Sequence, residues 1–164
     1  MRWLAWLRHA DPAPGGISDR GRAQARRLAL LLPRPVVGDS VLMIPSTAPR
    51  ARATAEALLA AWTTESVMVH PDSRLWSGPD RQGDAQGFED HEERILPWVI
   101  AAGADVSALL VVTHYELCGE VLALLAKGLG TRGDLPEQLD RGQGVLFDLQ
   151  LRRHGFLDGT ASSD

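Results

Sequence analysis

Three places in the sequence put arginine or histidine just beyond a short apolar run, and these residue types are well suited to handling phosphate. Trp3 to Leu7 ends in Arg8-His9. Val41 to Ile44 is followed by Pro45-Ser46 and then Arg50, and Leu109 to Val112 leads into Thr113-His114. Guanidinium forks stay charged and match phosphoryl oxygens in geometry. A neutral imidazole is a competent nucleophile toward phosphorus, and a second histidine can donate to oxygens where charge develops. A helix opening after His114 would add free backbone N–H groups aimed at an anion. Together these parts suit phosphoryl transfer through a phosphohistidine. Each residue also has a blander reading: Arg50 with Arg52 fits a solvated helix face, and His114 fits a hydrogen-bonded core histidine. Their coincidence at the ends of three runs is what favours a site.

Elements of matching period must position these residues. Trp3 to Leu7 is continuously apolar, as in a strand buried on both faces. Ser18 to Leu32 has helical spacing, with Ser18 as N-cap and Pro33 and Pro35 as the stop. Val41 to Ile44 predicts a second strand. Pro49 to Trp62 predicts an alanine-rich helix with proline in its first turn. Val67 to Val69 predicts a short strand, and Pro71 to Gly87, rich in Gly, Asp, Pro and Ser, a long surface loop. Phe88 to Ala102 is expected to be helical with a kink at Pro97. Leu109 to Thr113 reads as a strand, Tyr115 to Leu129 as the helix after it, and Val145 to Leu151 as the last strand. Alternating strands and helices with short joins predict one α/β domain over residues 1–158, three layers deep, with a mostly parallel sheet. Residues 159–164 are expected to form a loose tail. In such sheets ligands bind beyond the carboxyl ends of the strands, where the arginines and histidines fall.

The residues also carry a family resemblance. Leu7-Arg8-His9-Ala10 resembles the Arg-His motif of the histidine phosphatase superfamily, whose fold is phosphoglycerate-mutase-like. Ser18 to Ala25 resembles the segment opening that family's first helix. Ser46-Thr47-Ala48-Pro49-Arg50-Ala51-Arg52-Ala53-Thr54-Ala55 is similar to its Ser-Pro-x-x-Arg-Ala-x-x-Thr-Ala block, and Val111-Val112-Thr113-His114 to its block around the second histidine. The four blocks come in family order and span residues 2 to about 129. The resemblance implies that His9 becomes phosphorylated, that Arg8, Arg50 and His114 complete the phosphate pocket, and that no metal or organic cofactor takes part. Ser18, Tyr115 and Trp76 are further candidate substrate contacts.

Three departures from the family pattern shape the substrate expectation. The stretch Ala10 to Ile17 lacks the asparagine of mutase and broad-phosphatase members, and it is short, as in the bacterial phosphohistidine phosphatase branch. Leu75-Trp76-Ser77 puts serine where relatives carry a glutamate general acid. Asp80 and Asp84 could substitute or could simply solvate the loop, and Asp11 is a further candidate ranked below Asp80. Tyr115 replaces the usual glycine and would either line or narrow the pocket. Without a strong acid, substrates whose leaving group needs little protonation are favoured, such as phosphohistidine, an acyl phosphate or an aryl phosphate. The expected function is therefore a cofactor-independent phosphatase acting on a phosphorylated small molecule or phosphoprotein. The alternatives are a mutase-like phosphoryl transferase and a module that binds phosphorylated ligands without turnover.

Composition agrees with this class. The chain has 164 residues, 45% hydrophobic and 23% charged, as in an ordinary globular domain. With 17 basic and 21 acidic residues its net charge is −4, so no general attraction to nucleic acid or anionic membrane is expected. No apolar run approaches the length of a membrane span, and the N-terminal run meets arginine too early for a signal peptide, so a cytoplasmic location is expected. Cys118 is the single cysteine and reads as a small buried residue. His70, His91 and His154 show no metal-ligand spacing.

Overall fold

The structure, a computed structural model, describes residues 1–62, 67–82 and 86–160. Asp84, expected as a possible acid, and the tail residues 161–164 lie outside the described residues. A six-stranded sheet forms the centre, in the order β5-β4-β6-β1-β7-β8. Its strands are β1 (Trp3–Arg8), β4 (Val41–Pro45), β5 (Met68–Val69), β6 (Ala108–Thr113), β7 (Gln143–Asp148) and β8 (Arg153–Asp158). A small hairpin, β2 (Pro12–Ala13) and β3 (Gly16–Ile17), follows β1. The pairs β5–β4, β4–β6 and β6–β1 are parallel, whereas β7 runs antiparallel to β1 and β8 antiparallel to β7.

Helices α1 (Asp19–Leu31), α2 (Pro49–Trp62), α3 (Ile95–Ala102) and α4 (Glu120–Leu129) cover the sheet. The continuous apolar runs of β1 and β6 supply both faces at once. Leu4 and Trp6 join one buried cluster, with residues of α3 and α4; Trp3, Ala5 and Leu7 join the other, with residues of α1 and α2. A strand buried on both sides needs this composition, because successive side chains point to opposite faces. No helix among the described residues is long and apolar enough to cross a membrane.

Helix α1 starts as its sequence predicts: the Ser18 hydroxyl accepts the Gly21 N–H at 3.0 Å. A Cβ at Gly21 would lie 2.3 Å from the Asp11 carbonyl oxygen, so glycine is what lets the first turn pack beneath the loop that leaves β1.

Several boundaries differ from expectation. The helical stretch from Phe88 is short: Phe88–Asp90 and Glu92–Arg94 are single 3₁₀ turns, and α3 begins only at Ile95. Pro97 therefore sits in the first turn of α3, where its missing N–H costs nothing, and produces no mid-helix kink. The helix after His114 is split. Tyr115–Leu117 forms a 3₁₀ turn, and α4 starts after Gly119. Strand β7 ends at Asp148, and a further strand, β8, follows it. The loop after Pro71 is not wholly at the surface: Leu75, Trp76 and Ser77 are buried, and the Thr113 hydroxyl donates to the Leu75 carbonyl at 3.0 Å. Gly159 and Thr160 are tied back by hydrogen bonds to Gly142 and Asp158.

Candidate active site

The registers of the parallel strands bring the three run ends together. Arg8 is level with Thr113, and Pro45 with Val112. The His9 N–H donates to the Thr113 carbonyl at 2.9 Å, and the Ser46 N–H to the Val112 carbonyl at 2.8 Å. Helix α2 braces the loop beyond β1: the Thr54 hydroxyl accepts the Ala10 N–H at 3.0 Å and donates to the Arg50 carbonyl at 2.7 Å.

His9 is 5% exposed. Its Nδ1 lies 2.8 Å from the Ala10 carbonyl oxygen, which can only accept, so the ring proton sits on Nδ1 and Nε2 keeps its lone pair. The Arg50 Nε donates to that Nε2 at 3.3 Å. Burial pulls the imidazole pKa down to about 4, against the Ala10 hydrogen bond, and Arg50, Arg8 and Arg141 lower it further. His9 is therefore neutral at physiological pH, with burial a larger cause than the arginines.

His114 is buried beside it, the two rings 5.1 Å apart at 60°. Its Nε2 lies 2.8 Å from the Ser46 hydroxyl oxygen, which also accepts the Ala48 N–H at 3.3 Å. The other ring nitrogen, Nδ1, is buried without a hydrogen-bond partner. Burial first, then His9 and Arg50, bring its pKa down to about 3. Cys118 donates its thiol to the His114 carbonyl at 3.0 Å, and full burial pushes that thiol up, so it packs the site from beneath and is no nucleophile.

Both arginines are anchored. The Arg8 Nη1 donates to the Leu139 carbonyl at 2.7 Å, and its guanidinium lies 4.8 Å over the Tyr115 ring. Arg50 gives its two terminal nitrogens to Asp80, at 2.5 and 3.1 Å. That bond, more than any other cause, holds the Asp80 carboxyl below the usual carboxylate range. A cavity of about 290 Å³ opens here, lined by Arg8, His9, Arg50, His114, Asp80 and Tyr115, together with Ser77, Gly78, Glu116 and Arg141. A second cavity of about 510 Å³ shares Arg8, Tyr115 and Arg141 with it and extends to Arg20, Gln24 and Asp140.

This framework has structural counterparts. The alpha-ribazole phosphatase from Shigella flexneri matches with a TM-score of 0.59 at 18% identity, covering 99% of each chain. A protein histidine phosphatase SixA in complex with tungstate matches at 0.59 and 15% identity, over 96% of this chain and 97% of that one. A mycobacterial glucosyl-3-phosphoglycerate phosphatase in complex with VO3 matches at 0.58 and 20%, over 99% of this chain and all of the other. The chain has the histidine phosphatase fold. At these identities the likeness is one of fold, and no protein-family model and no curated protein matches the sequence.

Within the histidine phosphatase fold, six of the residues expected from the sequence share the cavity wall, and three others among the described residues do not. Ser18 spends its hydroxyl on the α1 cap and on Asp11, to which it donates at 2.8 Å. Trp76 is 8% exposed and does not line the cavity. Asp11 lines the second cavity, with Ser18 and Arg141 bound to its carboxylate at 2.8 and 3.3 Å. Arg141 and Glu116 were not expected. Arg141 precedes β7, and because β7 is antiparallel its entry, not its exit, lies at the site; the Gly142 N–H donates to the His9 carbonyl at 3.1 Å. Glu116 carried a weak signal, an acid two residues beyond the histidine that follows β6.

Proposed function

We propose that this protein is a phosphatase that hydrolyses phosphate monoesters through a covalent phosphohistidine on His9. One observation carries the reading: a buried, neutral histidine keeps its Nε2 lone pair beside Arg50, in a cavity also lined by Arg8 and His114. Nε2 attacks phosphorus, the P–Nε2 bond forms, and the bond to the leaving oxygen breaks. Arg8 and Arg50 hold the non-bridging oxygens, and His114 stabilises the charge that develops on them in the transition state. Water then attacks phosphorus, the P–N bond breaks, and inorganic phosphate leaves. The Asp80 carboxylate holds the two Arg50 nitrogens that a phosphoryl group would take, so substrate must displace it.

Hydrolysis of 4-nitrophenyl phosphate in excess EDTA tests the proposal. The wild type is expected to be active, and His9→Ala to lose at least about 10³-fold in rate, as expected when a nucleophile is removed. Activity that disappears on chelation, or survives in the variant, would refute it.

A further inference from the structure

We infer that Glu116 is the proton donor to the leaving group, and that the enzyme accordingly hydrolyses phosphate esters of unactivated alcohols; this rests on the phosphatase reading above. An aryl oxide leaves without help, but an alkoxide does not. A positioned acid is therefore worth about 10²- to 10⁴-fold for alkyl esters.

Glu116 lies in the turn Tyr115–Leu117, two residues beyond His114. The core fixes that turn: the buried Trp6 Nε1 donates to the Leu117 carbonyl at 2.7 Å, and the Cys118 N–H to the Tyr115 carbonyl at 3.0 Å. Its carboxyl reaches the wall of the cavity that holds both histidines and both arginines. There it meets Ser77, which is 1% exposed and donates its hydroxyl to Glu116 Oε2 at 2.8 Å. Ser77 thus stands where an acid was expected from the sequence, and it holds an acid delivered from another element.

The other oxygen is not taken by Ser77. Oε1 lies over Gly78, 3.2 Å from where a Cβ would stand, and Gly78 has φ +98°. A side chain there would be strained and would crowd the carboxyl. The Gly78 N–H goes to Glu89 at 3.0 Å and does not bind Glu116. Asp80 is the other carboxylate on this wall, and it is paired with Arg50. Glu116 is held by a neutral hydroxyl.

The steps balance. As His9 Nε2 bonds to phosphorus and the ester P–O bond breaks, the Glu116 proton passes to the leaving oxygen and an alcohol departs. The carboxylate then takes a proton from the water that attacks phosphorus, the P–N bond breaks, and phosphate and the protonated Glu116 are restored.

The test is a series of monoesters of rising leaving-group basicity: 4-nitrophenyl, phenyl and propyl phosphate. Wild type is expected to hydrolyse all three. In Glu116→Gln, kcat/KM is expected to fall about 10²-fold on the propyl ester but less than about 5-fold on the 4-nitrophenyl ester. Ser77→Ala, acting through the position of Glu116, should show a smaller loss with the same dependence on leaving group. A loss equal across the series, or no loss, overturns the assignment. So does a wild type that cleaves 4-nitrophenyl phosphate and not propyl phosphate, with the phosphatase reading intact. A wild type inert to all three esters and forming no phosphoenzyme overturns both.

Discussion

His9 and Asp80 hold the same arginine in different ways. His9 is buried at a strand end, its ring fixed by the Ala10 carbonyl and its loop by Thr54, and it meets the Arg50 Nε at 3.3 Å. Asp80 comes from the loop after β5; its side chain is 55% exposed, and it takes the two terminal nitrogens of Arg50. One wall of the cavity is thus built on the sheet, where strand register and two buried clusters fix each side chain. The other wall is built on turns. The phosphoryl group would be handled by the rigid wall, and binding and leaving-group chemistry by the wall that can yield. A partly exposed ion pair contributes little stability, so exchanging it for a phosphoryl group costs little.

Acid should break the rigid wall first. His9 and His114 have folded pKa values of about 4 and about 3, against 6.5 for a free imidazole. Above pH 6.5 both states are neutral and stability is full. As pH falls below 6.5 the unfolded chain takes up protons that the folded one refuses, and stability is lost down to about pH 4 for His9 and pH 3 for His114. Summed over both rings this is on the order of several kcal/mol. Urea unfolding between pH 7.5 and 5 should show a steep loss in the wild type and a shallower one in a His9→Gln/His114→Gln variant. Equal slopes would mean that the two rings are not held neutral by burial.

The yielding wall should respond more gently. Asp80→Asn frees Arg50 from its carboxylate, so inorganic phosphate, measured as a competitive inhibitor, is expected to bind about 3- to 10-fold more tightly, in keeping with the modest energy of an exposed pair. Weaker binding would show that Asp80 supports the phosphate site and does not compete for it.

The same contrast explains what could be read from the sequence. Arg8, His9, Arg50 and His114 follow apolar runs, and a parallel sheet brings the ends of such runs together, so the rigid wall was legible. Arg141 was not, because it precedes a strand whose reversed direction no local pattern announces. Strand β8 was missed for a related reason: it lies at the sheet edge, and its buried and exposed residues do not alternate cleanly. The turn Tyr115–Leu117 reads as the start of a helix until Gly119 interrupts it, and Glu116 in that separate turn lines the cavity. Ser77 looked like a missing acid, and the contact that supplies one spans 39 positions of sequence. Local spacing cannot show such a pair.

The most direct measurement of the central claim is to mix the enzyme rapidly with 4-nitrophenyl phosphate, quench in alkali, and locate the phosphate by ³¹P NMR and peptide mass spectrometry. A phosphoramidate stable to alkali and labile to acid, on Nε2 of His9, is the predicted result. Phosphate on another residue, or on Nδ1 of His9, would contradict the account.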